Sequence, residues 1–173
     1  MTVQPEFSRR LVLAEIGSSA KPTAIEATGP ECLALARRFG LVSLESLTAR
    51  AEIVAVAKGI EVRGELSARF TQSCAATAQP LMQAIDEPFH IRFEVPEGVA
   101  PGEELEVQPE ECDIMEHDGL AIDLGEAVAQ TLGLAINPFP RAPDADEVLK
   151  AAGILGEQDA SPFAKLKGLF GKE

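Results

Sequence analysis

Cys74 is the most inviting nucleophile in the chain, because it falls in the small-residue bend Thr71 to Thr77 that follows an extended stretch. A reactive thiol needs a base or a helix terminus to lower its pKa, and the spacing supplies no partner of that kind. A buried structural cysteine is the favoured reading, with a reactive thiol as the alternative. The two histidines are His90 and His117. His117 stands in Glu116-His117-Asp118, where neighbouring carboxylates favour the protonated ring. With Cys112, Asp113, Glu116 and Asp118 it could form an opportunistic metal site, but the spacing matches no familiar ligand pattern. No metal or other cofactor is expected. Cys32, Cys74 and Cys112 are widely spaced, with no Cys-x-x-Cys, so neither a disulfide framework nor a zinc site is suggested, and a reducing cytoplasm fits best. Nucleophile-elbow, Walker and dinucleotide motifs are absent. The adjacent acids Glu103-Glu104 and Glu110-Glu111 lie in a polar run with no sign of the enclosure that acid catalysis requires. The expected class is therefore a binding protein and not an enzyme.

Charge gives the binding reading a location. The chain carries a net charge of −13. Between Asp86 and Glu126 there are fourteen acidic residues and the single base Arg92, while the remainder holds fourteen acidic and fourteen basic residues. All of the net charge thus sits in one segment. Such a field repels phosphate backbones and attracts cationic surfaces, so direct RNA contact is disfavoured and a basic protein partner is favoured. The candidate partner-binding residues are Glu103, Glu104, Glu106, Glu110 and Glu111, with Asp113 and Asp118 beyond them. The plain alternative is a solvated loop that aids solubility.

The elements that must position these residues follow from pattern. A chain of 173 residues, 46% hydrophobic with eight phenylalanines and no tryptophan or tyrosine, suits one domain with an aliphatic core. No apolar run approaches the roughly 18 to 20 residues that span a bilayer, and the start lacks the apolar core of a secretory signal. Phe7 to Leu13 reads as extended and Gly17 to Ala27 as a loop. Thr28 and Glu31 stand at capping-box spacing, Pro30 falls in the first turn, Arg37 and Arg38 in the last, and Gly40 follows as a stop; together they mark a helix. From Leu44 to Gln72 the period becomes two, giving two strands joined by a tight turn at Lys58-Gly59. A third strand is predicted at Phe89 to Val95. Pro96 to Asp118 reads as a mostly exposed loop, with Leu105 to Val107 able to pair briefly at an edge. Asp123 opens a second helix that Asn137-Pro138 ends, and Asp144 opens a short third one that stops at Gly153. After a linker, Ser161 to Glu173 is amphipathic and about three turns long. It is marginal as a helix unless it docks on its own domain, a partner or a membrane surface.

Several blocks carry a resemblance. The segment Gly64 to Phe93, with Thr-Gln-Ser-Cys ending at Cys74, Gln79-Pro80 and Ile85 to Phe89, resembles the YceD-like family of large-subunit ribosomal RNA accumulation proteins. The blocks Ile122-Asp123-Leu124-Gly125-Glu126 and Asn137 to Pro143, which includes Pro140, are similar to the family's second signature. Ser161 to Leu166 is similar to the tail of its alphaproteobacterial branch. Some branches carry a Cys-x-x-Cys near the position of Cys74 and a cysteine-rich segment near the C-terminus, which this chain lacks. The resemblance implies a role in accumulation of large-subunit ribosomal RNA, with no established catalytic residues.

The expected architecture is an α+β domain over residues 1–153, an antiparallel sheet of about four or more strands with helices on one face, followed by a linker and amphipathic segment at 154–173. The expected function is a non-enzymatic factor in ribosome biogenesis that binds a basic protein. The alternative is an adaptor for a metabolic enzyme of lipid synthesis that makes contact through the C-terminal segment.

Overall fold

The computed structural model describes residues 5–96 and 112–153. In chain order these form β1 (Arg10–Val12), a 3-10 turn (Leu13–Glu15), β2 (Lys21–Glu26), α1 (Gly29–Arg38), β3 (Ser43–Val56), β4 (Gly59–Ser73), β5 (Pro80–Glu94), β6 (Asp113–Glu116), β7 (Ala121–Asp123), α2 (Leu124–Ala135) and α3 (Ala145–Ala151). The chain divides into two compact units, Met1–Gln72 with Met82–Asn137, and Ser73–Leu81 with Pro138–Glu173.

In the first unit the strands order β2-β3-β4-β5-β6 in one sheet, and β1 pairs with β7 in a separate two-stranded ribbon. The β3–β4 hairpin turns at Ala57-Lys58, with Val56 opposite Gly59. Gly59 has φ 129°, and a Cβ on it would lie 2.1 Å from the Phe93 carbonyl oxygen, so only glycine lets the end of β5 approach this closely. Alternation then sorts the faces. Leu47, Ala49, Ala51 and Ile53 of β3, Val62 and Leu66 of β4, and Phe89, Ile91 and Phe93 of β5 share one apolar cluster with Leu35 of α1 and Val128 and Leu132 of α2. Both helices therefore cover the same face, as an α+β fold requires.

The structure corrects the predicted elements in three places. Lys21–Glu26, expected as loop, is an edge strand whose Lys21 pairs with Ile53 and Glu26 with Thr48. Its Pro22 is tolerated because an edge strand has a side that needs no donor. β5 begins at Pro80 instead of Phe89. Within the stretch expected as loop, Asp113–Glu116 forms β6, parallel to β5 with Phe93 opposite Met115. A parallel neighbour needs a long crossover, and the chain between Glu94 and Asp113 supplies it, so the sheet is mixed at this edge.

In the second unit, Cys74, Ala142 and Ala145 form a small buried cluster against Ala76 and Leu81. α3 starts after Asp144 as expected, although the Asp144 side chain makes no capping bond.

Candidate functional site

The N-terminus of α2 gathers the best-connected polar groups of the first unit. Asp123 caps the helix by accepting the Glu126 N–H at 3.2 Å. The same carboxylate accepts the Arg9 N–H at 2.8 Å and the Ser8 hydroxyl at 2.5 Å. It thereby ties the N-terminal segment to the helix through groups over a hundred residues away in sequence. Arg9 in turn forks onto Glu31 at 2.7 and 2.9 Å. Glu31 also accepts the Thr28 N–H at 2.7 Å, realising the return half of the predicted capping box. The Arg9 bonds first, and the Thr28 groups after them, hold Glu31 down to about 2 against the opposing cost of burial.

Along α2 and β6 lie two open cavities of about 400 and about 830 Å³. The first is walled by Thr131, Leu134 and Ala135 on the helix and by Cys112 and Asp113 on the strand side, over Phe89. The second is walled by Glu126 and Gln130 on the helix and by Met115 and Glu116 on the strand, over Phe93. Both lie between the same two walls, α2 and the β6 strand, and together they are termed the α2–β6 groove. Six acidic residues border it: Glu87 and Asp113 at one end, and Glu116, Asp118, Asp123 and Glu126 at the other. Arg10 is its one Lys or Arg side chain among the described residues.

Of the acids singled out in the sequence, Asp113 begins β6 on the groove wall, and Asp118 closes the turn after that strand. Asp118 accepts the Leu120 and Ala121 N–H groups at 2.9 and 3.0 Å and the Arg10 guanidinium at 2.8 Å. These backbone donors, followed by Arg10, hold its carboxyl near 2. Glu103, Glu104, Glu106, Glu110 and Glu111 lie outside the described residues, as do Leu105 to Val107 and the amphipathic segment Ser161 to Glu173.

The motif residues have structural positions. Gly64 sits opposite Ala51, and a Cβ there would fall 2.3 Å from the Arg50 carbonyl oxygen. Leu124 is fully buried, while Pro80 is exposed at the start of β5. Pro140 contributes its carbonyl to the Ala75 N–H at 2.7 Å. Cys74 is 3% exposed, and its sulfur accepts the Ala142 N–H at 3.3 Å. Thr77 Oγ1 is buried and makes no hydrogen bond of normal geometry among the described residues. The nearby Thr77 hydroxyl first, and the Ala142 N–H second, bring the thiol down to about 7, the Ala142 bond being the one whose geometry is complete.

Both histidines bond within the first unit. His90 Nε2 accepts from Arg63 Nε at 3.1 Å on the outer face of the sheet, and His117 Nδ1 accepts the Gly119 N–H at 3.0 Å. Among the described residues no group of three or more His, Cys, Asp or Glu is arranged to hold a metal ion, and no helix is long and apolar enough to cross a membrane. Pairings such as Ser8 with Asp123 and Cys74 with Ala142 left no local signal in the sequence, since each joins segments far apart in the chain.

Fold and site together describe an acidic α+β module whose polar groups mostly brace its own elements. The model of the family described as large ribosomal RNA subunit accumulation protein YceD matches residues 62–170, well over half of the chain, and the chain belongs to that family. The family is described by ribosomal RNA accumulation and not by a reaction. No curated protein and no solved structure matches the chain.

Proposed function

We propose that this chain is a non-enzymatic factor that supports accumulation of large-subunit ribosomal RNA by holding a basic protein, a ribosomal protein or processing factor, against its acidic segment. The observation that carries the reading is the family match, which spans that segment from end to end. Charge supports the partner class. Residues 97–111 hold six acids and no base. Among the described residues, Asp86, Glu94, Asp118, Asp123 and Glu126 bond within the protein, whereas Glu87, Asp113 and Glu116 form no ion pair there. An acidic surface of this kind recruits cations and repels RNA.

The test is affinity capture from cell extract at low and high salt, with wild type beside a variant in which Glu103, Glu104, Glu106, Glu110 and Glu111 become lysine. A basic protein is expected to be recovered by the wild type at low salt, lost as salt screens the charges, and lost in the variant. Tight binding of naked ribosomal RNA fragments at physiological salt, with no protein recovered, would overturn the reading.

A further inference from the structure

The geometry points to the groove between α2 and β6 as the seat of an extended, Lys- and Arg-rich peptide segment of the partner, an inference that rests on the function proposed above. The groove has the cross-section that such side chains need. Lysine and arginine carry apolar stems with cationic tips, so they sit best where an apolar floor lies between acidic rims. Phe89, Phe93 and Met115 supply the floor, with Leu134, 84% exposed, at one end. Glu87 and Asp113 flank that end, and Glu116, Asp123 and Glu126 the other.

Length fits as well. The twelve residues of α2 run for about 18 Å, which matches about five residues of extended chain at about 3.3 Å each. Alternate side chains of an extended segment point the same way, so lysines or arginines at every second position would meet the groove while the others face solvent.

Charge selects this occupant over its rivals. A nucleic acid would bring phosphates against a border of acidic residues, of which Glu87, Asp113 and Glu116 form no ion pair among the described residues. A second copy of this chain would bring a net charge of −13 to the same acidic surface. Three of the carboxylates, Glu87, Asp113 and Glu116, form no ion pair among the described residues, so their charge is available to an incoming cation.

The probe is a fluorescent peptide in which lysine alternates with valine, titrated into the full chain. The variants are the combined Glu87→Lys, Asp113→Lys, Glu116→Lys, the single Leu134→Asp, and Glu15→Lys as a control charge reversal on the 3-10 turn. The triple reversal is expected to weaken binding by about tenfold or more at low salt, and Glu15→Lys to leave it unchanged. Leu134→Asp is expected to weaken binding although it adds an acid, because it removes apolar contact.

If the triple reversal binds like wild type while reversal of Glu103 to Glu111 abolishes binding, the groove is not the seat, and the acidic-segment function stands. If neither reversal matters, the proposed function falls as well. Saturable binding of a labelled oligouridylate to the chain with the peptide absent would also overturn the groove. Should the triple variant fail to fold, amide shifts in the unaltered protein decide. Peptide-induced shifts at Met115 to His117 and Gln130 to Leu134 support the groove, and shifts elsewhere alone overturn it.

Discussion

Arg38, in the last turn of α1, grips Glu126, in the first turn of α2, through two parallel bonds of 2.8 Å each. The same guanidinium reaches Glu6 at 2.9 Å, so one cation joins the N-terminal segment to both helices. The contacts push Arg38 further above its ordinary range and Glu126 below its own, the Arg38–Glu126 bonds contributing most to each shift. Forked, partly enclosed pairs of this geometry are worth more than a single exposed ion pair. Arg38→Met should cost about 1 to 3 kcal/mol in urea unfolding, since it strands two partly buried carboxylates. Adding Glu126→Gln should recover part of the loss, with a coupling of about 1 kcal/mol in the double-mutant cycle. Additive losses would show that the fork contributes nothing.

Acid stability should report the carboxylates held down by their partners. Glu31 falls from 4.5 to about 2, chiefly through Arg9, and Asp118 from 3.8 to about 2, chiefly through the Ala121 N–H. Each folded pKa lies below its unfolded value, so the unfolded chain binds more protons in this interval. The stabilisation is therefore complete above about 4.5, and is lost as the pH falls through about 2. Thermal unfolding from pH 5 to 2 should show Glu31→Gln with a shallower acid limb than wild type. Parallel limbs would mean that the Arg9 fork is absent in solution.

Local grammar made α1 and α2 legible. Thr28 and Glu31 at the start of α1 and Gly40, with φ 65°, after it lie where the pattern put them, and Asp123 caps α2 as its spacing implied. The β3–β4 hairpin was equally plain, because its period of two continues over both strands. β2 was hidden by Ser18, Ser19 and Pro22, whose turn preference outweighed the short alternation of Thr23 and Ile25. β6 was hidden by its brevity and its acids, since a four-residue parallel strand is defined by its neighbour and not by its own pattern. The groove was illegible for the same reason, as β5, β6 and α2 are brought together only by the fold. Conversely, the acidic excess was plain in the sequence, whereas the internal bonds of Asp118 and Glu126 required the structure.

Close backbone approach makes a sharp prediction at one motif glycine. A Cβ on Gly125 would lie 2.5 Å from the Phe7 carbonyl oxygen and 2.9 Å from the Arg9 nitrogen, both backbone atoms in the segment that Asp123 anchors. Gly125→Ala should destabilise the fold by about 1 to 3 kcal/mol or more, despite the better helix propensity of alanine. Gly29, at the start of α1, has nothing within 4 Å of such a Cβ. Gly29→Ala should be neutral, or stabilising by up to about 1 kcal/mol. Chemical denaturation of the two variants side by side checks the contrast, and equal effects would contradict the packing at Gly125.

The three thiols should separate by access and by acidity. Cys112 is partly exposed, whereas Cys32 and Cys74 are buried. An aromatic disulfide reagent added to native protein at pH 8 should therefore titrate one thiol quickly and two slowly. Burial pushes Cys32 up, so its modification should accelerate with pH, whereas Cys74, at about 7, is already largely thiolate and should react at a rate set by local opening. The same shift has a stability consequence. The folded pKa of Cys74 lies below its unfolded value of about 9, so its contribution is full above pH 9 and fades as the pH falls through about 7. Between these limits wild type should gain stability with rising pH relative to Cys74→Ala. A flat difference across that window would show that the Thr77 hydroxyl and the Ala142 N–H do not hold the thiolate.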